Sequence, residues 1–321
     1  MQRYLDADID ATPLAGKTIG IFGYGNQACP QALNLKDGGY SVVIGLRTGS
    51  PHRETAEQSG FSVLDIPEVV KQADLLMLLV PDDQCAPVYD AHIRTSEKTG
   101  LAIGFAHGLC LQAGWLKPDP RHDIFLVAPK GQGRGVRQKF QDGSGVPGLV
   151  AVHQDVSGNT EALAMAYAKA IGCAHTGVFQ TSVSEETISD LFSEQTVLCG
   201  GLTRLIRMAY ETLIEAGFSA PVAYFECLYE VKLIADLIHE KGIAGMREGI
   251  SSAALFGDIH EGDRVIDSHV RENMRQTLAR IQSGEFFQAF QAEIDSGFPE
   301  VRDAMLKDRA HSIEQAHRLL H

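Results

Sequence analysis

The 321-residue chain contains no CxxC pair and no Cys/His cluster with zinc spacing. Its six cysteines, at 29, 85, 110, 173, 199 and 227, are scattered and mostly set in apolar stretches. That usage excludes a disulfide scaffold and reads as reduced, buried thiols of a cytoplasmic protein. A basic block is also missing, and the net charge is −13, so the bulk surface should repel nucleic acid. An anionic small substrate stays compatible with this balance if cations or metal ions reverse the field at one site. No apolar run approaches the roughly 20 residues that span a bilayer. The longest, DLLMLLVP, covers only 74–81. The N-terminal MQRYLDADIDATPL carries acids and no apolar core, so it reads as neither signal peptide nor anchor. Repeats and low-complexity segments are absent too. What is left is an ordinary soluble composition, 44% hydrophobic and 21% charged, with length enough for two modest domains.

Residues 17–47, KTIGIFGYGNQACPQALNLKDGGYSVVIGLR, read as strand, glycine turn, helix and second strand. This is the context in which a GxGxxA turn signifies dinucleotide binding. Gly23 permits the tight turn, Gly25 lets backbone approach a pyrophosphate, and Ala28 sits where helix meets strand. The helix N-terminus then offers free N–H groups to the phosphates. Pro30 falls near the end of the first helical turn, where a missing N–H is tolerable. Strand-like runs continue at 74–84, 100–108, 123–133 and 147–155, predicting a doubly wound α/β domain. His107 and Lys130 follow two of these strands and are catalytic candidates.

An acid is lacking where NAD binders usually hold the ribose 2′-hydroxyl, at the end of the second strand. GLRTGSPHRE stands there, with Arg47, Ser50, His52 and Arg53 ahead of the first acid, Glu54. Cations and a hydroxyl suit a 2′-phosphate, so the expected cofactor is NADPH.

From about residue 183 the strand pattern stops and helical periodicity runs almost to the end, predicting a Rossmann domain over 1–182 and a helical domain over 183–321. Two acid pairs four residues apart, Asp190/Glu194 and Glu226/Glu230, lie in line with apolar positions on their helices. Like charges at this spacing cost a helix roughly 0.2–0.5 kcal/mol. No Lys or Arg lies three or four residues away to relieve either pair. Metal ions are the economical counter-charge, and four hard oxygen ligands suit Mg²⁺ over Zn²⁺. Two ions a few ångströms apart would clamp two substrate oxygens.

Together the segments GYGNQ, QALNLKDGGYSVVIGLR, FAHG, APKGQGRGVR, QDVSGNT, SEETISDLFSEQTVLCGG and AYFECLYEVKLIADLI closely resemble ketol-acid reductoisomerases of the short-chain class. The likeness runs over nearly the whole chain. It implies an NADPH-binding Rossmann domain followed by a knotted helical domain, with two subunits completing each site. Two Mg²⁺ ions would be bound by Asp190, Glu194, Glu226 and Glu230. Ser251 matches the family's substrate serine, and His107 and Lys130 match its catalytic histidine and lysine. Glu194 with Lys130 would move protons. The expected cofactor-binding set is Gly23, Tyr24, Gly25, Asn26 and Gln27 of the turn, with Arg47, Ser50 and His52 of the following loop. Asp82, Asp83, Gln84, Cys85 and Gly133 complete it from later loops. The implied reaction is alkyl migration and reduction of 2-acetolactate or 2-aceto-2-hydroxybutyrate to 2,3-dihydroxy acids, in valine and isoleucine biosynthesis.

Departures from the family pattern touch the nicotinamide and substrate surroundings. GNQACPQAL replaces GSQGHAHAL, HGLCLQ replaces HGFNIH, Gln132 stands where proline is common, and SSAALFG replaces SNTAEYG. They leave open a paralogue acting on a related 2-hydroxy-3-keto acid. A simple NADP-dependent hydroxy-acid dehydrogenase and a catalytically silent NADP-binding sensor are rival readings, but neither chemistry calls for two acid pairs.

Overall fold

Segments that read as unbroken apolar runs become central strands, buried on both faces because helices cover a parallel sheet from both sides. The computed structural model describes residues 1–320. One nine-stranded sheet is built from β1 (Arg3–Tyr4), β2 (Thr18–Phe22), β3 (Ser41–Leu46), β4 (Ser62–Asp65), β5 (Leu75–Leu78), β6 (Ala102–Phe105), β7 (Asp123–Pro129), β8 (Gly148–Gln154) and β9 (Val178–Gln180). Its order is β1-β9-β8-β7-β6-β5-β2-β3-β4. The stretch β7-β6-β5-β2-β3-β4 is parallel, and its order reverses between β2 and β5, where doubly wound sheets bind ligands. β8 turns back antiparallel to β7, β9 runs parallel to β8, and β1 closes the edge antiparallel to β9.

Between the strands come α1 (Ala28–Asp37), α2 (Arg53–Gln58), α3 (Ile66–Gln72), α4 (Asp82–Val88), α5 (Leu109–Gln112), α6 (Gly133–Gln141) and α7 (Thr160–Ala170). Ile19, Ile21, Leu35, Ile44, Leu75 and Phe125 form the centre of the core. Tyr167 of α7 meets Phe125 edge-on, with ring centroids 6.5 Å apart. Two compact units divide at Thr187/Ile188, inside α8 (Val183–Ser193).

The second unit holds no strand among the described residues. Its helices are α9 (Gly200–Glu215), α10 (Ala220–Tyr224), α11 (Glu230–Glu248), α12 (Ser252–Val265), α13 (Ser268–Gln282), α14 (Glu285–Asp295), α15 (Pro299–Ala310) and α16 (Ser312–Leu320). Its core is small: Tyr210 of α9, Ala223 and Tyr224 of α10, and Ile313 and Ala316 of α16. Hydrogen bonds tie the C-terminal helices to it, His311 Nε2 to Glu211 Oε1 at 2.9 Å and Tyr224 Oη to His317 Nδ1 at 2.7 Å.

Two π-helical turns, Glu194–Leu198 and Phe225–Tyr229, interrupt the α-helical path beside the acid pairs. The first is closed by Cys199 N donating to Glu194 O at 2.9 Å. Such a turn takes one residue more than an α-helical turn and recurs at functional sites. It corrects the expected stripe: positions before and after Glu194 no longer follow a single 3.6-residue period. Within one chain the apolar positions expected in line with the acids, Leu205 and Met208 after the first pair and Leu233 after the second, are 44%, 66% and 57% exposed.

Candidate active site

At the reversal between β2 and β5 lies a cleft of about 450 Å³. Gly23 closes β2 with φ 95°, and a Cβ there would lie 2.5 Å from the Leu79 carbonyl oxygen, so only glycine admits this turn. Gly23, Tyr24 and Gly25 form one wall, and α1 begins behind them at Ala28, with Cys29 N donating to Gly25 O at 3.0 Å and Pro30 contributing no N–H. Arg47, Ser50 and His52 line the opposite wall, and Asp83 and Gln84 of α4 a third. Arg47 is exposed and makes no ion pair among the described residues. Arg53 is diverted from the cleft: its guanidinium donates to Val63 O at 3.1 Å and to Asp65 Oδ1 at 2.9 Å. That pair also occupies the one acid at the end of β4.

The remaining cofactor candidates sit around the cleft and not on it. Cys85 is buried, and its thiol is pushed well up by a hydrogen bond with Cys110 and by burial. Burial likewise raises the Asp82 carboxyl, against the pull of His107. Gln27 turns its side chain away, donating through Nε2 to Gly131 O at 3.0 Å. Gly133 opens α6 against the glycine turn, where a Cβ would fall 1.5 Å from the Asn26 carbonyl oxygen. Asn26 and Gly133 therefore meet as packing partners.

His107 follows β6 and Lys130 follows β7, as their sequence positions predict. Both converge on Glu186 of α8, a residue absent from the sequence-based candidates. Lys130 Nζ lies 2.8 Å from Glu186 Oε1, and His107 Nδ1 lies 3.6 Å from Oε2. Glu186 is 1% exposed. Burial alone would raise its carboxyl, but the neighbouring His107 and the Lys130 charge outweigh that and hold it below the usual carboxylate range. It stays ionised, paired with Lys130 and with the His107 ring beside it. The signal that could have revealed it is its spacing, four residues before Asp190 and eight before Glu194 on one run.

Asp190 is half-buried one turn beyond Glu186 on α8, whereas Glu194, Glu226 and Glu230 are exposed. Among the described residues, no group of three close ligand side chains includes Glu194, Glu226 or Glu230. Glu226 and Glu230 form no ion pair there either. An all-carboxylate donor set is of the chemistry that a hard divalent cation takes. Ser251 is the N-cap of α12, where its Oγ accepts from Ala254 N at 3.2 Å. Its hydroxyl proton remains available to a further acceptor.

Residues 13–177 match the acetohydroxy acid isomeroreductase NADPH-binding domain, and residues 183–321 match the ketol-acid reductoisomerase C-terminal domain. An NADH-preferring ketol-acid reductoisomerase from an uncultured archean superposes with TM-score 0.98 at 38% identity, covering 100% of this chain and 98% of that one. A putative oxidoreductase from Jannaschia sp. CCS1, 14% identical with TM-score 0.61, covers 84% of this chain and 98% of its own. A semialdehyde dehydrogenase NAD-binding protein from Cupriavidus necator, 18% identical with TM-score 0.59, covers 81% and 99%. These last two share only the fold. With both family domains matched along the chain, the protein belongs to the ketol-acid reductoisomerase family of oxidoreductases.

Proposed function

We propose that this reductoisomerase acts on 2-acetolactate and 2-aceto-2-hydroxybutyrate, using NADPH and Mg²⁺, in valine and isoleucine biosynthesis, and works as a homodimer or a multiple of one. The observation that carries the reading is Glu186, 1% exposed, holding Lys130 and His107 together at the foot of the helix that bears Asp190. Two bound ions would polarise the adjacent hydroxyl and ketone oxygens so that the alkyl group migrates, and the dinucleotide would deliver hydride to the resulting 2-keto acid. Asp190, Glu194, Glu226 and Glu230 are the residues to hold the ions. Lys130 Nζ, paired with Glu186, donates a proton to a developing alkoxide, and Glu194 shares that proton traffic. His107 orients groups next to the nicotinamide. Ser251 Oγ–H is directed to a substrate oxygen.

Cofactor choice rests on Arg47, Ser50 and His52 lining the cleft. The archaeal relative is described as NADH-preferring. In this chain the exposed Arg47 guanidinium supports a 2′-phosphate, and Asp65 is already paired with Arg53. Assembly is supported by the second unit's uncovered apolar side chains, among them Phe256 at 63% and Leu306 at 64% exposed.

The test is an NADPH-oxidation assay with 2-acetolactate and Mg²⁺, run beside 2-aceto-2-hydroxybutyrate and simple 2-keto acids. Turnover of the first two should require Mg²⁺. Asp190→Asn and Glu226→Gln should each abolish rearrangement while leaving dinucleotide affinity within about twofold, because neither lies on the cofactor cleft. Wild-type-like turnover by either variant would sink the metal assignment. Reduction of simple 2-keto acids without Mg²⁺, and none of 2-acetolactate, would instead indicate a hydroxy-acid dehydrogenase.

A further inference from the structure

Gln31 lies on the second turn of α1 with no exposed surface, and nothing above gives it a role. Its amide is nonetheless held at both ends. Tyr167 Oη donates to Gln31 Oε1 at 2.9 Å. Gln31 Nε2 donates to Gln27 Oε1 at 3.1 Å, and Gln27 Nε2 donates in turn to Gly131 O at 3.0 Å. The direction of donation is the same at every step, so each amide has one way round. This row of bonds starts in α7, crosses α1 and the phosphate turn, and ends on the carbonyl next to Lys130. Tyr167 is itself fully buried against Phe125, and burial pushes its phenol far up, so it remains a donor at any working pH.

The last contact is close-packed. Lys130 N donates to Pro147 O at 2.8 Å, which anchors one side of its loop, while Gln27 holds the other side. Three residues after Lys130, Gly133 touches the Asn26 carbonyl oxygen so closely that no Cβ fits. The loop that carries Lys130 and the turn that receives the cofactor phosphates therefore meet as one surface. A buried amide that loses its partner also leaves that partner unsatisfied, so the row cannot relax one member at a time.

We propose that Gln31 is a positioning residue: gripped by Tyr167, it fixes Gln27 and thereby sets the Lys130 loop against the phosphate-binding turn. Lys130 is then placed with respect to the bound cofactor by a buried row of amides, and not by its pairing with Glu186 alone. This rests on the reaction assigned under Proposed function, in which Lys130 handles a proton. Catalysis is sensitive to displacements of about 1 Å, whereas the glycine turn binds phosphate through its own backbone. Loosening the row should thus lower kcat more than cofactor affinity.

The experiment compares the full-length protein with Gln31→Met, Gln31→His and Tyr167→Phe. It measures kcat with 2-acetolactate and Mg²⁺, the Kd for NADPH and NADH by calorimetry, and hydrogen exchange of the 129–136 peptide. Methionine keeps the length of glutamine and removes both polar groups. A neutral imidazole restores one acceptor and one donor. For Gln31→Met the expected result is a kcat lower by about 10-fold or more, with each Kd within about 3-fold and faster exchange at 129–136. Gln31→His should recover most of the kcat and the slow exchange. Unchanged kcat and exchange in Gln31→Met, or a histidine variant no better than methionine, would overturn the proposal. If Gln31→Met does not fold, Tyr167→Phe, which deletes one hydroxyl, gives the same readings. Should wild type turn over no 2-acetolactate with either dinucleotide, the reaction assignment fails by itself, and exchange at 129–136 still decides the role of Gln31.

Discussion

A carboxylate as buried as Glu186 would, alone, take up a proton to escape desolvation. Lys130 and His107, from separate loops, reverse that preference. The geometry makes Glu186 a fixed anion around which Lys130 and His107 are placed. Arg47 shows the opposite economy, an exposed cation on the wall of the cleft with no ion pair among the described residues. Replacing it with Asp is expected to raise the Michaelis constant for NADPH at least 10-fold more than that for NADH, since an acid would repel the 2′-phosphate and accept from a free 2′-hydroxyl. Steady-state kinetics with both dinucleotides checks this; a native enzyme that already uses NADH equally well contradicts the reading of the loop. Arg47 was legible because it precedes any acid after β3. Arg53 looked equivalent in sequence, and only Asp65, arriving from β4, takes it out of the cleft.

At the scale of elements, the parallel strands and the glycine turn follow from apolar runs ended by Gly, Pro, His or Asp. β1 and β9 escaped the same reading because two or three residues carry too little pattern, and β4, Ser-Val-Leu-Asp with both ends exposed, is no unbroken apolar run. The π-helical turns at Glu194 and Phe225 were equally invisible, since period arguments assume a constant 3.6 residues per turn. The start of β7 carries a pH-sensitive contact. His122 is fully buried, its Nδ1 accepts from Leu101 N at 3.3 Å, and burial pushes its imidazole below the ordinary value. An unfolded histidine protonates near pH 6.5, and the folded one only at lower pH. The unfolded chain then binds more protons as pH falls, so the contribution of His122 is whole above about pH 6.5 and is lost as pH drops toward its folded value. His122→Gln should flatten the decline of Tm between about pH 7.5 and 5.5, measured by scanning calorimetry. His153, also lowered by burial, keeps part of the slope in the variant. Parallel curves for wild type and variant would show that His122 does not set the acid limb.

The whole molecule presents an imbalance between its two units. The first buries a large continuous core, while the second buries only a few side chains and leaves Met208, Leu233, Phe256 and Leu306 more than half exposed. In the proposed homodimer a second copy would cover these side chains. If the carboxylate pairs at each site come from different subunits, mixing Asp190→Asn chains with Glu230→Gln chains should restore part of the activity on co-folding. Each mixed dimer would then hold one doubly damaged site and one intact site, giving at most about half the wild-type turnover per dimer. Size-exclusion chromatography with differently tagged chains confirms that mixed dimers form. No recovered activity in those dimers would assign all four acids to one chain.

By itself the sequence determined the alternation of strands and helices, the phosphate turn, the helical second half and the acid pairs. Each of these is local: a period, a turn residue or a charge spacing constrains neighbours along the chain. The tertiary structure decided which charges meet. It brought Glu186 under both His107 and Lys130, drew Arg53 to Asp65, buried Cys85 beside Cys110, and lined Tyr167, Gln31 and Gln27 up on Gly131. Those pairings join residues up to 136 positions apart. Partner choice over such separations follows from how strands and helices stack, and from the cost of leaving a buried polar group unpaired, neither of which is written in any short stretch of chain.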